Sequence, residues 1–182
     1  MCSSDLQRET VVAWRLATHH PVAPAILWQC RRSAPICDKL RADDSEPMLR
    51  EHTGLGIDPL FSASKMQWLL ENLPGLRDQA AVGDICFGTV DSWLIWMLTQ
   101  GAVHACDVSN ASRTQLLNLK TADWDPELLA LFGVPRAALP EVKSSSDIFG
   151  YCDGIDGLQR VPIVSAMGDS HARSEERRWE RV

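Results

Sequence analysis

The segment Val161-Pro-Ile-Val-Ser-Ala-Met-Gly-Asp-Ser-His171 decides the fold class of this chain. It is a short apolar run that stops at Gly168 and presents Asp169 directly afterwards. Such a run ended by a glycine is typical of a buried strand in a parallel sheet, and ligands bind outside the carboxyl ends of those strands. We therefore expect Asp169 at a sheet edge, where it either takes a proton from a bound hydroxyl or caps a following helix.

Hydrophobic periodicity upstream of this segment predicts strands and helices in alternation, as an α/β domain requires. Two β-rich runs, residues 10–14 and 25–28, flank a polar turn and predict a hairpin. Asp58 before Pro59 has the pattern of a helix N-terminus. A third strand is expected at 84–88, helices at 31–41, 62–73, 91–98 (buried on nearly all sides) and 125–131, and a loop with short strands at 141–157.

Composition limits the classes of function. The 182 residues, 45% hydrophobic and 23% charged, suit one globular domain. A net charge of -6 argues against nucleic acid as a partner. Neither a long apolar run nor a secretory signal is visible, so we expect no membrane partner and a cytoplasmic protein. The six cysteines and five histidines lack ligand spacing, which predicts reduced thiols and no metal site built from side chains alone.

Several short blocks follow one another in a fixed order. They are Gln7-Arg8-Glu9-Thr10, Trp28-Gln-Cys-Arg-Arg32, Thr53-Gly54, Asp58-Pro59 with Phe61-Ser62, Phe87-Gly-Thr-Val-Asp-Ser-Trp-Leu-Ile-Trp96, Asn110-Ala-Ser-Arg-Thr114 and Gly168-Asp169. In this order they resemble the FGGY family of carbohydrate kinases, from about Gln7 to His171. The resemblance implies an incomplete ribonuclease H-like (actin-like ATPase) domain of the α/β class, with a mixed sheet and flanking helices.

The resemblance also implies ATP-dependent phosphorylation of a polyol, glycerol being the first expectation, with ATP and Mg²⁺ as cofactors. Asp169 matches the catalytic aspartate that accepts the proton of the attacking hydroxyl. Arg8 and Glu9 match a pair that binds polyol hydroxyls, the arginine donating hydrogen bonds and the glutamate accepting them. Trp28 matches the tryptophan that lines the pocket on the carbon-chain side, and residues 110–114 match scaffold near the pocket.

Two departures from the family pattern concern the substrate. This chain has Leu60 where the family pattern for glycerol has a tyrosine, and Ser170 where a glutamine usually follows the catalytic aspartate. Both remain candidate substrate-binding residues, but two hydrogen bonds of about 1 kcal/mol each are missing. A different polyol or a ketose is therefore an alternative substrate, and a polyol-binding module without catalysis is an alternative function.

The two ends of the chain depart further from the family. No phosphate-binding hairpin precedes Gln7, and residues 172–182 are almost entirely charged. We therefore expect a partial substrate-side domain at 1–171 and a charged tail at 172–182 that is not native to the fold. On this interpretation the chain alone is inactive, its partner is a small polyol, and a homo-oligomer is compatible with the full-length protein.

Overall fold

Helices and short strands alternate along the chain in a computed structural model, which describes residues 8–155 and 157–169. The helices are α1 (Ala34–Ala42), α2 (Glu46–Thr53), α3 (Ser62–Asn72), α4 (Leu76–Ala81), α5 (Val90–Leu98), α6 (Val108–Ala111) and α7 (Pro126–Phe132), followed by a 3-10 turn at Arg136–Ala138. The strands are β1 (Val12–Arg15), β2 (Ile85–Gly88), β3 (Ala105–Asp107), β4 (Leu117–Asn118), β5 (Asp123–Trp124), β6 (Glu141–Lys143), β7 (Tyr151–Cys152) and β8 (Val161–Pro162).

The strands pair two by two within the described residues. β1 runs antiparallel to β2, with Val12 opposite Gly88 and Arg15 opposite Ile85. β3 and β6 are parallel, whereas β4 with β5 and β7 with β8 are antiparallel. Parallel and antiparallel pairs therefore both occur, as a mixed α/β architecture requires, although each pair of the described chain forms a separate two-stranded sheet.

Strand β1 is buried on both faces. Val11 and Ala13 point into the main apolar core, which β1 and β2 share with helices α1 to α4 and α7. On the other face, Trp14 packs with Trp96 of α5 in a smaller aromatic cluster, with ring centroids 5.9 Å apart. Burial of both faces explains why residues 11–14 are continuously apolar instead of alternating, before β1 ends at the exposed Arg15.

Residues 161–169 do not form the buried parallel strand that the sequence predicts. Only β8 is a strand, it pairs antiparallel with β7, and Val164 beyond it is 57% exposed. Pro162 has no N–H to donate to a sheet ladder, which shortens the strand. Of the apolar run, Ile163 packs inward against Phe149, so this segment is an extended edge with one buried face.

Two predictions in the first third of the chain are also wrong. Residues 25–28 form no regular strand. The chain does turn back along the edge of β1 that β2 leaves open, but it contributes only the antiparallel bridges of Ile26 with Val11 and of Pro21 with Trp14. Asp58 does not begin a helix; its carboxylate accepts a hydrogen bond of 2.7 Å from the backbone N–H of Leu60. An aspartate can close a local turn with the same side-chain bond that it uses as a helix cap, so the sequence signal is ambiguous.

The four predicted helices are confirmed as α1, α3, α5 and α7, and β6 and β7 are the short strands of the 141–157 loop. Asp125 caps α7 as predicted, accepting from two backbone N–H groups of its first turn. Helix α5 is less buried than expected, since Leu94 and Met97 are exposed. The sequence does not predict α2, because its first residues, Glu46 and Pro47, end a run (43–47) that is typical of a loop.

The described residues contain no helix that is both long and apolar enough to cross a bilayer. Their five cysteines are free thiols, with Cys30 half-buried and the other four buried. Burial of this kind is common for a small apolar side chain and requires no disulfide.

The ammonium group of Lys65 is fully buried beneath the loop that precedes α3. Its Nζ donates to the carbonyl oxygens of Pro59 (2.8 Å), Leu60 and Phe61 (3.0 Å). Burial lowers the pKa of Lys65 to about 8, against the attraction of nearby thiol and carboxyl groups. The three charge-assisted hydrogen bonds offset the cost of burying the ammonium and hold three successive carbonyls in place.

We expect Lys65→Met to lower the free energy of unfolding by roughly 2–4 kcal/mol, because three buried acceptors lose their donor while the aliphatic packing is kept. Urea denaturation followed by circular dichroism measures this. Lys39→Met, the same change on an exposed face of α1, is the control and should have little effect. If the Lys65 variant is as stable as the parent protein or more stable, the desolvation cost of the buried ammonium equals or exceeds the stabilisation from its hydrogen bonds.

The carboxyl group of Asp91, in the first turn of α5, is 4% exposed. It accepts hydrogen bonds from the Thr89 hydroxyl and from the backbone N–H of Asp107 (3.2 Å). Burial raises the pKa of Asp91 to about 6; the Thr89 bond lowers it and the charge of Asp107 raises it. The folded protein therefore holds this proton more tightly than the unfolded chain does, and that stabilisation is lost as the pH rises from about 4 to about 6.

We expect the melting temperature of the parent protein to fall relative to that of Asp91→Asn as the pH rises from about 4 to about 6. The difference, variant minus parent, should therefore increase over this range and then stay constant. The amide mimics the protonated carboxyl, so the variant escapes a loss on the order of 2–3 kcal/mol. Thermal melts across this range measure the difference. Asp78→Asn removes an exposed carboxylate and corrects for the change in net charge. A difference that stays flat with pH would contradict the assignment.

Candidate functional site

A surface cavity of about 360 Å³ lies between the segment after Ile26 and the loop before α3. Trp28, which is 40% exposed, lines one side of it, and Leu60 lines the other. The remaining lining residues are Gln29, Cys30, Arg31, Asp58 and Pro59. The structure thus brings together two of the residues that the sequence places in the substrate pocket.

The loop that carries Leu60 is held through its backbone. The Asp58 carboxylate accepts from the Leu60 N–H, and the Asp58 carbonyl accepts from the Phe61 N–H (3.2 Å). From below, Lys65 binds the carbonyls of Pro59, Leu60 and Phe61. Every peptide group of the turn therefore has a partner, and the Leu60 side chain is left to shape the cavity.

The thiol of Cys30 forms part of the cavity wall and receives a hydrogen bond of 3.0 Å from the Arg32 guanidinium. Burial raises the pKa of Cys30, but the hydrogen bonds and charge of Arg32 outweigh this and bring the pKa below its usual value. Arg32 in turn lies over the ring of Trp68, 4.8 Å from its centroid. Contacts outside the cavity thereby hold the Arg32 guanidinium that binds the Cys30 thiol.

The carboxylate of Glu9 is paired with Arg113. The Arg113 Nε donates to Glu9 Oε1 at 2.9 Å, and the two side chains are 29% and 13% exposed. The same guanidinium lies over the Phe61 ring, 5.0 Å from its centroid. Because Phe61 follows Leu60 in the loop, these contacts connect the Glu9 carboxylate to the cavity wall.

Arg8 pairs with Asp169, not with the adjacent Glu9. Its Nε lies 3.2 Å from Asp169 Oδ1, and both side chains are partly buried. The aliphatic part of Arg8 crosses directly over Gly168, where an added Cβ would come within 2.3 Å of Arg8 Cδ. The two residues expected to act as one pair thus each bind a different partner of opposite charge.

The predicted site residues therefore fall into three sets. Trp28 and Leu60 share the cavity, Glu9 binds Arg113, which lies over Phe61, and Arg8 binds Asp169. Ser170 and the charged residues 172–182 lie outside the described residues. Asp169 itself is helical, which is not the extended conformation typical of an N-cap residue.

Sequence reasoning missed Lys65 as part of the site and gave Arg113 a scaffold position only. Lys65 carried no signal, since a lysine within an amphipathic helix is usually solvated. Arg113 stands in the Asn110–Thr114 block, so its position near the pocket was indicated, but its partner Glu9 is 104 residues away in sequence.

The chain is similar to known proteins in both sequence and fold. Residues 4–173 match the family model described as the FGGY family of carbohydrate kinases, N-terminal domain. The chain is 55% identical over 168 residues to a glycerol kinase from Dichelobacter nodosus (strain VCS1703A). The matched region covers 91% of this chain and 33% of that protein.

Two solved structures share the fold. Plasmodium falciparum glycerol kinase with ADP superposes with a TM-score of 0.88 at 32% identity, and gluconate kinase from Lactobacillus acidophilus with a TM-score of 0.77 at 20% identity. Each match covers 91% of this chain and 33% of the other. The chain thus spans about a third of the length of the proteins that it matches.

These likenesses confirm the predicted ribonuclease H-like (actin-like ATPase) α/β class. Since the family model covers almost all of the residues from end to end, this chain belongs to the FGGY family of carbohydrate kinases.

Proposed function

We propose that the protein containing this chain transfers the γ-phosphate of ATP to a hydroxyl of a polyol, with glycerol as the first candidate. The observation that carries the proposal is the Arg8–Asp169 ion pair (3.2 Å), in a chain that is 55% identical to a glycerol kinase. A carboxylate held beside a guanidinium suits both the binding of a hydroxyl and the removal of its proton.

Binding would use the cavity and the two carboxylates. The exposed face of Trp28 packs against the CH groups of the polyol, and Leu60 closes the opposite side. Glu9 accepts hydrogen bonds from hydroxyls while Arg113 balances its charge. The Arg113 Nε engages Oε1 of Glu9, which leaves Oε2 able to accept from a ligand.

In the chemical step Asp169 acts as the base. As the terminal hydroxyl oxygen forms its bond to the γ-phosphorus, the bond from that phosphorus to the β-phosphate oxygen breaks and the hydroxyl proton passes to Asp169. Arg8, which contacts Asp169 in the unliganded chain, donates to the hydroxyls of the bound polyol. Positioning and charge compensation supply most of the acceleration in such transfers.

Among residues 8–155 and 157–169, no group of three or more His, Cys, Asp or Glu side chains could hold a metal ion. Mg²⁺, when bound with ATP, would neutralise charge on the phosphates. That chemistry is independent of the polyol contacts derived above.

We further infer that residues 1–171 belong to the substrate-side domain and that 172–182 lie outside it. The family match over residues 4–173 supports this division to within two residues. A cytoplasmic location and a homo-oligomeric full-length protein stay predictions from the sequence and its resemblance.

Asp169→Asn should lower kcat for polyol phosphorylation by roughly 10²–10⁴-fold, because the amide cannot accept the hydroxyl proton. KM for the polyol should change little, since the amide still forms hydrogen bonds. ADP release with saturating ATP measures both constants, and Asp147→Asn, at an exposed loop position, is the control. An unchanged kcat in the Asp169 variant would exclude this residue as the base.

Leu60→Tyr should strengthen glycerol binding by roughly five- to tenfold, the equivalent of one added hydrogen bond in the cavity. Leu60→Phe supplies the same ring without the hydroxyl and is the matched control. Titration calorimetry with glycerol compares the two variants with the parent. If phenylalanine and tyrosine have the same effect, the change comes from shape, and the hydroxyl is not what Leu60 lacks.

A further inference from the structure

The backbone that leads to Asp169 is tied to two serines from other parts of the chain. The N–H of Gly168 donates to Ser109 Oγ at 2.8 Å. Two residues earlier, the N–H of Ala166 and the hydroxyl of Ser165 both donate to the carbonyl of Ser145, at 3.1 and 2.9 Å. This segment has little strand pairing of its own, so these three bonds provide much of its anchoring.

Both serines are held by one buried carboxylate, that of Asp107. Its Oδ2 accepts from the Ser109 N–H (2.9 Å) and from the Ser145 hydroxyl (2.7 Å), while Oδ1 accepts from the N–H and the side-chain amide of Asn110. Asp107 is fully buried and is the N-cap of α6. A single carboxylate thus fixes the positions of the two groups that hold the segment.

Asp107 itself cannot move freely. It is the last residue of β3, where it pairs with Lys143 of β6 in a parallel ladder. Its N–H donates to the buried carboxylate of Asp91 at 3.2 Å. The chain of contacts therefore runs from the first turn of α5 through β3 and α6 to the peptide group just before Asp169.

Gly168 is confined from two directions. On one side its N–H is bound by Ser109, and on the other the side chain of Arg8 passes so closely that a Cβ would collide with it. Arg8 then turns to Asp169. The direction in which the Asp169 carboxylate leaves the backbone is therefore set by a peptide clamped between these two residues.

We propose that Ser109 is a positioning residue for Asp169, acting through its hydrogen bond with the Gly168 amide. This inference rests on the proposed function in that it gives Asp169 a catalytic task. The bond itself can be tested without any activity. Loss of the bond frees the peptide, and a carboxylate displaced by a fraction of an ångström is a poorer base even though the substrate pocket is intact.

The first arm of the test is amide hydrogen exchange of the chain, followed by NMR. In Ser109→Ala, exchange of the Gly168 amide should accelerate roughly fivefold or more, the equivalent of one lost hydrogen bond, while the Asn110 amide stays protected by Asp107. Ser109→Thr retains the hydroxyl and should restore protection. Ser112→Ala, at a serine of the same turn whose hydroxyl donates to the Ser109 carbonyl, should leave exchange of the Gly168 amide unchanged.

The second arm is kinetic. Ser109→Ala should lower kcat by about 10- to 100-fold with KM for the polyol little changed, and Ser109→Thr should recover most of the loss. Equal exchange of the Gly168 amide in the parent protein and Ser109→Ala, or acceleration by Ser112→Ala, would overturn the inference. So would an unchanged kcat once the amide is free. The kinetic arm uses the full-length protein that contains this chain. If that protein phosphorylates no polyol, the proposed function fails, and the exchange arm alone decides whether Ser109 holds the peptide.

Discussion

The buried carboxylate of Asp107 is the constraint on which the arrangement of this chain depends. Asp107 is the last residue of β3 and the N-cap of α6, and its carboxylate accepts a hydrogen bond from the Ser145 hydroxyl in the segment after β6. Removing a charge of this kind from water is costly, and four hydrogen bonds from backbone and side chains compensate the cost. Such a group stabilises one arrangement of the surrounding elements, because every alternative leaves it unsatisfied.

The two halves of the candidate site are built in different ways. The turn that carries Leu60 is a local structure, held by a lysine four to six residues away from the carbonyls that it binds. The ion pairs are long-range, since Glu9 meets Arg113 and Arg8 meets Asp169 across most of the described chain. Neighbouring residues therefore specify the turn, whereas the complete cavity and the ion pairs require segments that are distant in sequence to pack together.

The sequence predicted the helices better than the strands. Helices such as α3 and α7 depend on periodicity and caps that lie within a dozen residues. The fate of Val161–Gly168 depends on what packs against its two faces, and the residues themselves do not contain that information. The ordered blocks indicated Trp28, Leu60, Glu9 and Asp169 as candidate site residues, but they did not indicate which charged side chains form ion pairs. Arg8 and Glu9 are adjacent in sequence, and only the fold shows that they turn to different partners.

The backbone anchoring of the turn beneath Leu60 separates architecture from selectivity. Lys65 recognises the carbonyls of three successive residues, and carbonyls are the same whichever side chains those residues carry. The side chain at position 60 can therefore be substituted while these backbone contacts are kept. Ligand preference can change at this position with little loss of stability. A lineage could alter what its cavity accepts through one codon while the scaffold beneath stays under purifying selection.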